Sequence, residues 1–152
     1  MIEVNRTVSL SPERVFAVLA DGWSYASWVV GASHIRKVDP DWPAVGSQIH
    51  HNVGPWPLVI QDATEVLAME VNSLLEVHAR IWPVGAARVR VRLDPRNSGG
   101  CEITMGEEIA EGPFRSLPKA AQATLFRPRN NESLNRLVDL AEGRGPHASR
   151  PS

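Results

Sequence analysis

Between Ala32 and Ile109, turn signals recur roughly every ten residues, as Asp39-Pro40-Asp41, Gly54-Pro55, Asn72-Ser73, Pro83-Val84-Gly85 and Asn97-Ser98-Gly99-Gly100. Connections this short cannot carry a parallel crossover, so the segments between them must pair antiparallel with their neighbours. Three of these segments alternate clearly. In Leu75–Trp82, the residues Leu75, Val77, Ala79 and Ile81 share one face and Glu76, His78, Arg80 and Trp82 the other. In Arg88–Leu93, Val89, Val91 and Leu93 oppose Arg88, Arg90 and Arg92. In Cys101–Ile109, Cys101, Ile103, Met105, Glu107 and Ile109 oppose Glu102, Thr104 and Glu108. The pattern predicts a meander with one apolar and one charged face, and a slip of one residue would bury the arginines.

The flanks follow other periods. Ile2–Val8 reads as a short strand that stops at a helix start, where Ser11 can cap, Pro12 suits the first helical position and Glu13 favours the positive end of the dipole. Val15, Phe16, Leu19 and Ala20 then form a helical stripe, Asp21-Gly22 ends it, and Trp23–Trp28 reads as a second short helix. Gly112-Pro113 closes the sheet region. The helical period returns weakly over Leu117–Phe126 and strongly at Leu134, Leu137, Val138 and Ala141, with Pro128 expected to kink or divide the segment. An apolar sheet face must be covered, and the last helix is the long amphipathic element left to cover it. The expected fold is α+β: a curved antiparallel sheet of about seven strands wrapped on a long C-terminal helix, with two short helices after the first strand. Residues 1–143 make one domain on this reading, and 144–152, rich in Gly, Pro and Ser, a frayed tail.

At 152 residues the chain fits one domain that can bury a sizeable core without a metal or disulfide, and the single Cys101 excludes an internal disulfide. Sixteen Lys and Arg against seventeen Asp and Glu give a formal charge of −1, which carries no electrostatic footprint for nucleic acid. No apolar run approaches the roughly 18 residues of a membrane span. Met1–Leu10 carries an acid and an Asn where a secretory signal needs its apolar stretch, so the expected compartment is the cytoplasm.

The order of elements, with Ser11-Pro12-Glu13-Arg14-Val15-Phe16 after the first strand, Trp28 closing the short helix, Val45-Gly46-Ser47 opening a strand, Asp62-Ala-Thr-Glu-Val66, and Arg129-Asn-Asn-Glu-Ser-Leu-Asn-Arg-Leu137, resembles the START-like, or polyketide cyclase/dehydrase (SRPBCC), superfamily over residues 2 to 142. The resemblance implies a helix-grip fold whose sheet and C-terminal helix enclose a deep cavity for an apolar or amphipathic small molecule. The residues then expected to line it are His51, Trp56, Val77, Ala79, Ile81, Val91, Met105, Glu107, Leu134, Leu137 and Val138.

Within that frame a few polar residues need a reason. Glu107 falls on the inward face, where an unpaired carboxylate is costly; either it has a purpose or partner there, or a bulge at Gly106 turns it out to solvent. Burial would favour its neutral form unless a cation compensates, and His51 is the nearest inward candidate by face counting. His50 and His51 point to opposite faces and cannot grip one metal together, and no Cys/His spacing suggests a metal site. The five tryptophans, Trp23, Trp28, Trp42, Trp56 and Trp82, either rim a pocket or plug its ends. Arg88, Arg90 and Arg92 read as a solvated ladder with Glu102, Thr104 and Glu108, and Arg127 and Arg129 as a solvated helix surface. Cys101 reads as a small core residue. No nucleophile motif or cofactor loop is present, and no cofactor is expected. The leading function is binding of an apolar or aromatic small molecule oriented by groups such as Glu107 and His51. The alternatives are a polyketide aromatase/cyclase using one of those two as acid or base, and a protein-interaction module with a filled core. The chain acts as a monomer or homodimer on any of these readings.

Overall fold

The computed structural model describes residues 1–30, 34–53, 60–81 and 85–143. Its strands are β1 (Ile2–Val8), β2 (Ile35–Val38), β3 (Gln48–Val53), β4 (Ile60–Glu70), β5 (Leu74–Ile81), β6 (Gly85–Pro95) and β7 (Cys101–Glu111). The helices are α1 (Pro12–Leu19), α2 (Tyr25–Trp28) and α3 (Lys119–Gly143), with 3-10 turns at Gly22–Ser24 and Pro113–Ser116. Strands β2 to β7 follow one another as a meander and β1 joins beside β7, giving one seven-stranded sheet in the order β1-β7-β6-β5-β4-β3-β2. Every pairing is antiparallel. This is the α+β helix-grip arrangement that the turn spacing and the helical flanks imply.

Local chemistry sets the element ends. Ser11 Oγ accepts the Arg14 N–H at the start of α1, directly before Pro12, and Glu13 occupies the first turn. Strand β6 starts earlier than its alternation suggests, because Ala86 and Ala87 carry little β signal yet pair with β5 and β7 around a local register shift. Gly85 takes a φ of 121°, and a Cβ there would collide with the Glu111 carbonyl. At the other edge, β2 is only four residues long, its pairing with β3 is irregular between Ile35 and Lys37, and Arg36 and Lys37 are exposed.

The two faces of the sheet divide as their alternation requires. Outside, Glu76 accepts from Arg90 Nε at 3.0 Å and lies 3.5 Å from Arg88 Nε, while Arg88 also pairs with Glu108. Arg90 is therefore a partly solvated member of a charge ladder. Inside, Val4, Val66, Leu75, Val77, Val91, Leu93, Ile103 and Met105 pack with α1 residues Val15, Phe16, Val18 and Leu19 and with Leu134, Leu137, Val138 and Ala141 of α3. Cys101 is fully buried in the same core.

Pro128 does not divide the last helix, which runs unbroken from Lys119 to Gly143. The missing N–H costs one helical hydrogen bond, but both sides of the proline are anchored: Phe126 packs with Ile2 and Ile109, and the core half is fixed by Leu134 and Leu137. Among the described residues no helix is long and apolar enough to cross a membrane. Residues 144–152, read as a tail, lie outside the described residues.

Candidate functional site

The inner face of the sheet is graded. One row across it is Leu75, Val91 and Met105; the next is Val66, Val77, Val89 and Glu107; the third is Thr64, Ala79, Ala87 and Ile109. Side chains thus shrink and polar groups appear toward the third row. His51, on β3, adds to this end by placing Nε2 2.9 Å from Thr64 Oγ1. The face of α3 changes in step: its C-terminal half is aliphatic, whereas Asn130 and Ser133 are buried in its middle.

Glu107 faces inward and is fully buried. No bulge rotates it, since the pairing with β6 runs without a shift through Gly106, Glu107 and Glu108, and that with β1 runs through Gly106 to Glu107 opposite Ile2. Its cation is Arg129, whose Nη1 donates to both carboxylate oxygens at 3.0 Å. Two expectations are corrected here: His51 is not the compensating group, and Arg129, unlike the exposed Arg127, is not a solvated helix residue. The physical reason is the continuous helix, which turns position 129 toward the sheet, where a long guanidinium stem can reach a carboxylate on β7. Arg129 Nε also donates to the Val30 carbonyl at 2.9 Å, and Ser133 Oγ accepts the Val30 N–H at 2.9 Å. One residue after α2, Val30, is thereby held by α3 through both its N–H and its carbonyl.

Tyr25 completes the cluster. Its ring meets Trp28 edge-on at 5.5 Å and lies 5.7 Å from His51, which is itself hydrogen-bonded to Thr64. Burial pushes the Tyr25 phenol up from 10.0 to about 12, with a smaller push from the Glu107 charge; the Thr64 side chain and Arg129 oppose it. Because the unfolded tyrosine ionises first, stability is fully present below about pH 10 and is lost as pH rises from there toward 12, by roughly 2 kcal/mol. Tyr25 is the chain's only tyrosine. Its phenolate absorbance should rise near pH 12 while the fold persists, and a titration centred near 10 in folded protein would show a solvated phenol instead.

Two buried donors, Trp28 Nε1 and Asn130 Nδ2, have no hydrogen-bond partner among the described residues. Val89 keeps partial exposure although it sits mid-strand on the inner face, directly across from Glu107, and the Arg129 side chain is 26% exposed. Solvent therefore reaches the inner face beside the ion pair.

The other expected lining residues sort by place. Val77, Ala79, Val91 and Met105 lie buried on the inner face, and Leu134, Leu137 and Val138 lie in the core shared with α1. Trp56 and Trp82 lie outside the described residues, as do the side chains of Ile81 and Gln61. Trp42 is buried with Nε1 donating to the Leu19 carbonyl at 3.1 Å, so it plugs one end as core, whereas Trp23 is 59% exposed. His50 faces away from His51 and bonds Asp39 at 2.8 Å, which holds the Asp39 carboxyl below its usual range. No three His, Cys, Asp or Glu side chains gather to hold a metal among the described residues.

Sequence reasoning gave no site role to Tyr25, Thr64, Arg129, Asn130 or Ser133. One signal was available for the helix: extending the stripe back from Leu137 and Ala141 through Ser133, Asn130 and Phe126 places two polar residues on an inward face. Nothing in the local pattern marks Tyr25.

Solved structures share this architecture. A Staphylococcus aureus protein of unknown function superposes with a TM-score of 0.66 over 93% of both chains at 11% identity. A Mesorhizobium loti protein gives 0.60 at 25% identity, over 91% of this chain and 96% of that one. A protein from the dynemicin biosynthetic locus gives 0.66 at 16% identity, over 93% of this chain and 46% of that one. No curated protein matches the chain. Over residues 1–142 the sequence matches the family described as polyketide cyclase/dehydrase and lipid transport, and with its seven-stranded sheet closed on α3 the chain belongs to that family.

Proposed function

We propose that the protein binds an apolar or aromatic small molecule on the inner face of its sheet, with the ligand's polar end at the Tyr25, His51, Thr64 and Glu107–Arg129 cluster. The observation that carries this reading is the cluster itself. Polar groups inside a core are costly, and a core that served stability alone would be better filled with aliphatic side chains. Here they gather where the sheet's side chains are smallest and where solvent reaches Val89. Burial of ligand surface at roughly 25 cal/mol per Å² would drive binding, and the two unpartnered donors and the Thr64 hydroxyl would orient it. The cytoplasm remains the proposed compartment.

The test is native mass spectrometry of protein purified from its own host, followed by titration of the released molecule against Thr64→Val. A bound small molecule is expected, with affinity reduced ~10-fold in the variant, the size of one lost hydrogen bond. Host protein free of any small molecule, together with no binding from a panel of apolar aromatics, would favour an interaction module with a filled core.

One observation favours a polyketide-type cyclase as the second reading. The His51 imidazole, a group whose ordinary pKa suits proton transfer, is bonded to Thr64 and lies against the Tyr25 ring. Both Glu107 oxygens accept from Arg129, which makes His51 the stronger acid/base candidate. Turnover of a polyketide-like substrate that His51→Gln abolishes without loss of affinity would establish the enzyme.

A further inference from the structure

Resting on that binding reading, we infer that the Glu107–Arg129 pair keeps the polar end of the site electroneutral and so selects uncharged oxygen-bearing ligands, such as alcohols, phenols and ketones, over carboxylates of the same apolar body. The charge inventory carries the inference. In the rows that hold or flank Glu107, β4 contributes Thr64, β5 Val77 and Ala79, β6 Ala87 and Val89, and β7 Met105 and Ile109, and α2 adds Tyr25 with Trp28 edge-on to it, none of them charged. β3 contributes His51, hydrogen-bonded to Thr64. Asp62, opposite His51 on β4, is an anion paired with Arg80 at 3.6 Å.

Arg129 is the cation that a ligand carboxylate would seek, and its Nη1 is already shared between both oxygens of Glu107 at 3.0 Å, while its Nε is held by the Val30 carbonyl. An incoming anion would lose its own hydration and lie beside a fully buried carboxylate that has already neutralised the guanidinium. A hydroxyl or carbonyl oxygen meets no such opposition. It can accept from the unpartnered Trp28 and Asn130 N–H groups or join the Thr64 hydroxyl. The carboxylate of Glu107 is on this view a specificity-determining residue that acts by occupying Arg129.

The full-length chain should be titrated at low ionic strength and about pH 7.5, where free carboxylates are ionised, with two matched pairs: decanol with decanoate, and naphthol with naphthoate. Tryptophan fluorescence and native mass spectrometry read the binding. The wild type should prefer the neutral member of each pair by ~10-fold or more. Glu107→Gln frees Arg129 and should reverse the order within each pair, tightening decanoate and naphthoate relative to decanol and naphthol by ~10-fold or more. Equal wild-type affinities within a pair would overturn the inference and leave the binding reading standing, and this comparison needs no variant if E107Q fails to fold. An unchanged ratio in folded E107Q would overturn it equally. Absence of binding by all four probes would overturn the binding reading, and this inference with it.

Discussion

Arg129→Leu should lower the free energy of unfolding by roughly 3 kcal/mol, the scale on which removing one partner of a buried ion pair leaves the other charge without compensation. The carboxylate left behind belongs to Glu107, which is fully buried, and the Val30 carbonyl loses its donor at the same time. Water reaching the partly exposed position of Arg129 keeps the loss toward the lower end of the usual range. Urea unfolding measures it. Glu107→Leu combined with Arg129→Leu should recover most of the loss, because two apolar side chains need no partner there. A single-variant loss below about 1 kcal/mol would mean that the carboxylate is solvated in the folded protein, and the account of a buried pair would fail.

Leu137→Ala should cost about 2–5 kcal/mol, toward the upper part of that range. Leu137 is 0% exposed, in the core that α3 shares with α1 and the sheet. Rigid elements surround the deleted methyl groups, so the site collapses little and the cavity remains. Leu125→Ala on the same helix is the control: at 58% exposure it should change stability by no more than about 0.5 kcal/mol. Equal effects at the two positions would mean that the C-terminal half of α3 is not held in the core.

These two residues also mark how far the sequence could be read. Leu137 was legible because a helix that covers a sheet must repeat its apolar face at helical spacing, and Leu134, Leu137, Val138 and Ala141 do so. The inward position of Glu107 was legible for the matching reason, since strand alternation fixes a face whatever the residue on it. Arg129 was not. Face counting assigns residues to sides of one element, whereas an ion pair between β7 and α3 depends on how those elements cross, and the proline beside Arg129 pointed to a break that the helix does not make. The same holds for Tyr25: the β3–β4 register sets His51 beside Thr64, but only the packing of α2 against the sheet brings the Tyr25 ring to them. The rows across β4 to β7 lie between these cases: each strand's face could be read alone, but the decline in side-chain size toward Thr64, Ala79 and Ala87 exists only once the register is set.

The short edge strand β2 bears on how copies of this protein meet. A sheet that ends on a long, flat strand invites a neighbour to continue its ladder, which leads to open-ended polymers. Here the last strand offers four residues, an interrupted ladder, and the exposed side chains of Arg36 and Lys37. A second copy approaching that edge about a twofold axis would set these cations against their own counterparts, with few backbone bonds to offset the repulsion. Growth of the sheet from one molecule into the next is opposed on that side, and a homodimer of this chain would have to form elsewhere, at the β1 edge or through side chains on another surface.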